Sequence, residues 1–154
     1  MNLHAKLQQR EAAGRPLRVG LIGAGKFGAM YLAQVPRTPG LHLAGIADLN
    51  PSNARTNLER VGWTAAHYSA PSLDAAFASR LTHVGDDWRK LVADPRIEIV
   101  VEATGNPIAA VEHALEAFRH GKHVVMVTVE ADAMCGPILA RKAQEAGVVY
   151  SLAY

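Results

Sequence analysis

Short, nearly unbroken apolar runs recur along the chain, each followed by a longer stretch with apolar positions three or four residues apart. Leu17 to Ile22, Leu41 to Ala47, Leu81 to Val84, Ile97 to Ala103, His123 to Val129 and Val148 to Tyr154 read as buried strands. The stretches between them predict helices over Lys26 to Val35 and from Asn50-Pro51 to about Val61. A helical turn or two follows at Leu73 to Ala78, and a short helix at Asp87 to Ala93. From Pro107, the residues Ile108, Val111, Ala114, Leu115 and Phe118 share one helical face, and Ala131 to Ala146 forms the last helix. Leu3 to Ala13 is a further short helix, broken by Gly14-Arg15-Pro16, while Gly62 to Ser72 has no period and reads as loop.

Strands that are apolar throughout are buried on both faces, and strand alternating with helix builds a parallel sheet covered by helices. The expected fold is therefore α/β, a Rossmann-type doubly wound parallel sheet of about six strands in the order 3-2-1-4-5-6. Residues 1–16 form an N-terminal helical extension and residues 17–154 a single domain. The chain stops after its sixth strand, where a two-domain enzyme would cross into its second domain, so a longer parent with a C-terminal catalytic domain is expected.

Composition narrows the class. A chain of 154 residues, 49% hydrophobic and 19% charged, suits one globular domain. A net charge of +2, with no basic run, does not point to nucleic acid or an anionic membrane. Cys135 is the single cysteine, so no intrachain disulfide forms. No apolar stretch approaches the ~20 residues of a membrane span. The polar start from Met1 to Arg15 is no signal peptide, and a cytoplasmic location is expected.

The chemistry is concentrated in Gly23-Ala24-Gly25-Lys26-Phe27-Gly28, a G-x-G-x-x-G between a strand and a helix. Asp48 lies twenty residues past its last glycine, at the end of the next strand. This is a dinucleotide fingerprint. Gly23 allows the tight turn, Gly25 lets backbone approach a pyrophosphate, Gly28 lets the helix pack closely, and the helix N-terminus faces the phosphates. Asp48 would accept bonds from the adenosine ribose hydroxyls and repel a 2′-phosphate, which favours NAD over NADP; the bland alternative is a strand-end Asp bonding to the following turn. Gly20 to Lys26 also fits the start of a P-loop, but Phe27 stands where a Ser or Thr would hold Mg²⁺. Ala103-Thr104-Gly105-Asn106-Pro107 follows the fourth strand, where Ala103, Thr104 and Gly105 offer a smooth surface to a nicotinamide ribose and Asn106 caps the next helix.

At these residues the chain resembles the NAD(P)-binding domain of the homoserine dehydrogenase family, from Leu17 onward. The landmarks are Gly23 to Gly28, Glu102-Ala103-Thr104-Gly105 and Gly121-Lys122-His123-Val124-Val125. More narrowly, the Leu-rich start, Val129-Glu130-Ala131-Asp132 and the tail from Tyr150 to Tyr154 are similar to homoserine dehydrogenase-like oxidoreductases with a C-terminal SAF domain. That branch includes an enzyme resembling deoxyxylulose phosphate reductoisomerase of isoprenoid synthesis, and the resemblance implies NADPH. Homoserine dehydrogenases place Asn-Lys after the fifth strand, where this chain has Val129-Glu130, and that puts homoserine as substrate in doubt. The implied partner is a small-molecule substrate met through another domain, with self-association left open.

Other residues carry weaker signals. Glu130, at the carboxyl end of a strand, is a candidate acid, base or substrate contact, with helix capping as the alternative. Lys122, after a helix-ending glycine and before the fifth strand, reads as a solvated lysine, with approach to cofactor or substrate as the alternative. His113, His120 and His123 diverge and form no zinc set. Cys135 reads as a small helix residue, and Trp63 and Trp88 as packing residues. A different functional class also fits: a stand-alone module sensing NAD(H), with 62–72 touching its partner. A short-chain dehydrogenase does not fit, since neither Tyr68 nor Tyr150 has a lysine four residues on.

Overall fold

The structure is a computed structural model and describes residues 2–153; Tyr154, in the tail of the sequence resemblance and of the last expected strand, lies outside them. The strands are β1 (Leu17–Ile22), β2 (Leu41–Ala47), β3 (His83–Gly85), β4 (Ile99–Glu102), β5 (His123–Met126) and β6 (Tyr150–Leu152). They form one sheet, all neighbours parallel, in the order β3-β2-β1-β4-β5-β6. The helices are α1 (Leu3–Ala12), α2 (Lys26–Gln34), α3 (Pro51–Arg60), α4 (Leu73–Ser79), α5 (Trp88–Ala93), α6 (Pro107–Arg119) and α7 (Val129–Glu145). This is the doubly wound α/β fold that the alternating pattern predicts.

Side chains on successive strand residues point to opposite faces, and the core divides accordingly. Val100 joins Ala114, Phe118, Val124, Met126 and Leu139 under α6 and α7, whereas Val101 joins Val19, Leu21, Leu32, Ala54 and Leu58 under α2 and α3. Helix starts follow local chemistry. Asn50 and Asn106 each cap a helix that opens with proline, and the Asn106 side chain accepts from both the Ile108 and Ala109 amides.

Several boundaries differ from the sequence pattern. Apolar runs overstate strand length, because Ile97, Leu81 and Val148 are apolar residues of the approaches rather than of the hydrogen-bonded ladder. The fifth strand ends at Met126 instead of Val129. The chain turns at Thr128, and Val129 opens α7, whose first-turn acids Glu130 and Asp132 suit the positive end of the helix. The aperiodic stretch 62–72 contains a 3₁₀ turn, Ala65–Tyr68. It is anchored inward, since Trp63 Nε1 donates to the Leu32 carbonyl (2.9 Å) and Tyr68 is buried. Helix α1 buries none of its side chains and is held by polar contacts: Arg10 to Glu98 (2.7 Å), and the Glu11 carboxylate to Arg80 and to the Gly40 amide.

Candidate functional site

β1 is central, with β2 on one side and β4 on the other, so the direction of winding reverses between the carboxyl ends of β1 and β4. Open α/β sheets take ligands at that reversal. Here the turns leaving the two strands touch. Gly23 has φ +89°, and a Cβ on it would come within 2.8 Å of the Ala103 carbonyl and the Thr104 Cα. Gly28, buried in the first turn of α2, lies so close to the Gly23 carbonyl that a Cβ would overlap it. Gly25 differs from both, because a Cβ there would meet nothing within 4 Å. Gly25 is also the cap of α2 and offers no side-chain acceptor, leaving the first amides of the helix facing that open space. Lys26 and Phe27 are exposed at its rim.

Asp48 closes the far side. Its Oδ2 accepts from the Ala24 amide and its Oδ1 from the Asn50 amide, both at 2.8 Å. The bond to the following turn is therefore present, together with one to the glycine turn, and each oxygen keeps a second acceptor site. Buried Asn57 on α3 donates to the Ala24 carbonyl at 2.8 Å, so Ala24 is held at both its amide and its carbonyl. Sequence reading missed Asn57. Its signal is a polar residue between Ala54 and Leu58 on the buried face of the helix. Arg55 Nη2 donates to the Val84 carbonyl (3.0 Å) rather than reaching toward Asp48.

At the other end of the crevice sits Glu102, fully buried at the end of β4. Its Oε1 accepts from the Thr104 hydroxyl (2.6 Å) and faces His113 Nδ1 (3.2 Å), and its Oε2 accepts from the Thr128 hydroxyl. Thr128 Oγ1 in turn accepts from the Gly105 amide (3.0 Å), and Thr104 Oγ1 from the Asn106 amide (3.2 Å). The sequence shows Glu102 only as part of a family landmark; the local signal is an acid closing the apolar run Ile99-Val100-Val101. Val129 and Glu130 follow Thr128 on the first turn of α7. Glu130 is exposed, at the edge of an apolar cleft of about 630 Å³ lined by Phe27, Met30, Val101, Val125 and Val127.

Lys122 is not the solvated lysine that its place after Gly121 suggests. It is buried, with Nζ donating to the carbonyls of Asp94 (2.7 Å) and Ile97 (2.8 Å), and burial pulls its ammonium below the ordinary lysine value. Its long stem lets it tie the loop before β4 to the start of β5. The three histidines do diverge: His113 faces Glu102 and packs on Trp88, His120 faces Glu116, and His123 accepts from the Val149 amide. Among the described residues no group of His, Cys, Asp and Glu could hold a metal ion. Cys135 lies in α7 against the core, and no helix of the described residues is long and apolar enough to cross a membrane.

Residues 17–154 match the Gfo/Idh/MocA family, described as an oxidoreductase family with an NAD-binding Rossmann fold. Among curated proteins, the chain is similar to a homoserine dehydrogenase of Pseudomonas aeruginosa, 29% identical over 135 residues. That alignment covers 88% of this chain and 28% of the relative. It is also similar to an inositol 2-dehydrogenase/D-chiro-inositol 3-dehydrogenase of Lactiplantibacillus plantarum, 28% identical over 106 residues. Here the coverage is 68% of this chain and 25% of the relative. A solved homoserine dehydrogenase from Thiobacillus denitrificans superposes with a TM-score of 0.69 at 25% identity, over 89% of this chain and 29% of that one. The chain thus spans under a third of the length of each of these proteins.

Proposed function

Because the chain belongs to the Gfo/Idh/MocA family of oxidoreductases with an NAD-binding Rossmann fold, we propose that it is the cofactor-holding part of an NAD(P)-dependent oxidoreductase. The observation that carries this is the open cradle at Gly25. A side chain there would stand in free space in front of unpaired helix amides, whereas neighbouring Gly23 and Gly28 are packed tight. A pyrophosphate fits that space and charge. In this reading Gly23, Gly25, Lys26, Phe27 and Gly28 hold the phosphates, Asp48 the adenosine ribose, and Ala103, Thr104, Gly105 and Val129 the nicotinamide half. A bound nicotinamide cofactor supplies or accepts the hydride.

Exposed Glu130, close to that half, is the candidate for contact with a small-molecule substrate. Further catalytic groups would come from outside the sequence described, given the greater length of the relatives. The finer likeness to the SAF-domain branch and its deoxyxylulose phosphate reductoisomerase-like enzyme rests on the sequence resemblance alone. It favours NADPH, while Asp48 favours NAD.

Calorimetric titration with NADH and NADPH at one ionic strength tests the reading. The Asp48 carboxylate would repel a 2′-phosphate and Arg55 is tied to Val84, so NADH is expected to bind more tightly by a factor of about ten, or about 1.4 kcal/mol. Asp48→Ser should shrink that ratio. Preference for NADPH would overturn the role given to Asp48 and favour the isoprenoid-type branch. Binding of neither would reject the cofactor reading.

A further inference from the structure

Thr128 occupies the cap position of α7, yet its side chain makes no bond to that helix. A threonine there ordinarily turns its oxygen toward the amides of its own helix. Here the hydroxyl is diverted. It donates to Glu102 and accepts from the Gly105 amide in the facing loop. Thr104 repeats the arrangement, donating to Glu102 and accepting from the Asn106 amide. Each carboxylate oxygen accepts one hydroxyl proton, so both hydroxyls point their protons inward. Their lone pairs are then left for the two loop amides. The Thr104 amide also donates to Oε1 at 3.4 Å, and His113, buried against Trp88 with ring centroids 4.4 Å apart, faces the same oxygen.

We propose that Glu102 is a positioning residue: through Thr104 and Thr128 it fixes the Thr104–Gly105 backbone against the β5–α7 junction, and so shapes the nicotinamide end of the crevice. This rests on the cofactor reading above. Glu102 lies under the loop and acts on the cofactor only through it. The glycine turn and Asp48 have hydrogen bonds of their own, to Asn57 and Asn50.

The parent chain and Glu102→Gln should be titrated with NADH and with ADP, which lacks the nicotinamide and its ribose. A glutamine presents a donor to one threonine, so one arm of the lock is lost. ADP affinity should stay unchanged, and the advantage of NADH over ADP should fall by about tenfold. Independently of cofactor, hydrogen exchange at the Gly105 or Asn106 amide should quicken. If Glu102→Gln does not fold, Thr128→Val carries the same test, and Thr128→Ser, which keeps the hydroxyl, should restore the parent ratio. Equal weakening of both ligands, an unchanged ratio, or unchanged amide exchange would overturn the proposal. A parent chain that binds neither ligand would instead remove the cofactor reading beneath it.

Discussion

Gly23 sits at φ +89° against the Ala103 carbonyl, whereas Gly25, two residues on, has an ordinary φ of −73° and open space before it. Substitutions at the two should therefore separate folding from binding. Gly23→Ala forces a Cβ into backbone in a conformation that already costs about 1–2 kcal/mol for an L-residue. It should lower the melting temperature as well as binding. The Cβ of Gly25→Val meets no atom within 4 Å, so its melting temperature should stay near the parent's while NADH binding is lost, as thermal melts and calorimetry on both variants would show. A Gly25→Val variant that bound like the parent would sink the proposed phosphate site. Asn57 belongs to the same scale, since one side-chain amide holds the Ala24 carbonyl and so the shape of the turn.

Single elements depend on their ends. Helix α6 starts with Asn106 bonded to two amides at 3.1 Å and with proline in its first turn. Asn106→Ala removes the cap and should cost about 1 kcal/mol, a drop of roughly 2–4 °C in melting temperature for a domain of this size. Thermal melts would measure it, and an unchanged melting temperature would mean that packing of Ala110, Ala114 and Phe118 alone sets the start of the helix. In α7 the order of effects differs. Thr128 gives up its cap bond to the Glu102 network, and the first-turn acids Glu130 and Asp132 are left to satisfy the positive helix end.

Across the whole molecule, three groups near the amino ends of β2 and β4 contribute to its pH sensitivity. His42 is buried in β2, with Nε2–H donating to the Leu81 carbonyl at 2.8 Å, and burial holds its imidazolium below the ordinary 6.5. The unfolded chain then binds a proton that the folded chain refuses, so stability is lost as pH falls below about 6.5. Bonding to Arg96 likewise holds Asp94 low. Glu98, though burial raises it, is brought low by the Arg18 amide and by Arg10. Their contribution is present above the ordinary carboxylate range and lost as pH falls through it. Melting temperatures taken from about pH 7 to about pH 5 should fall for the parent and fall less for His42→Gln, with both declining below about pH 4. Equal slopes in the upper window would clear His42 of that role.

The period of apolar residues and the placement of glycine, proline and asparagine were enough to determine the order of elements, the parallel sheet and its 3-2-1-4-5-6 winding. These signals are local and repeat along the chain. The glycine turn and Asp48 were legible for the same reason, because their spacing is itself the constraint. Strand ends were less so, since an apolar residue approaching a ladder looks like one within it, as Ile97 and Val148 do. What only the tertiary structure decided were contacts between residues far apart in sequence. Lys122 is buried on the carbonyls of Asp94 and Ile97, Asn57 holds Ala24, and Glu102 meets His113 of α6 and Thr128 before α7. A polar side chain carries no periodic mark of the partner that lets it be buried; that partner exists only once the sheet has brought the turns together.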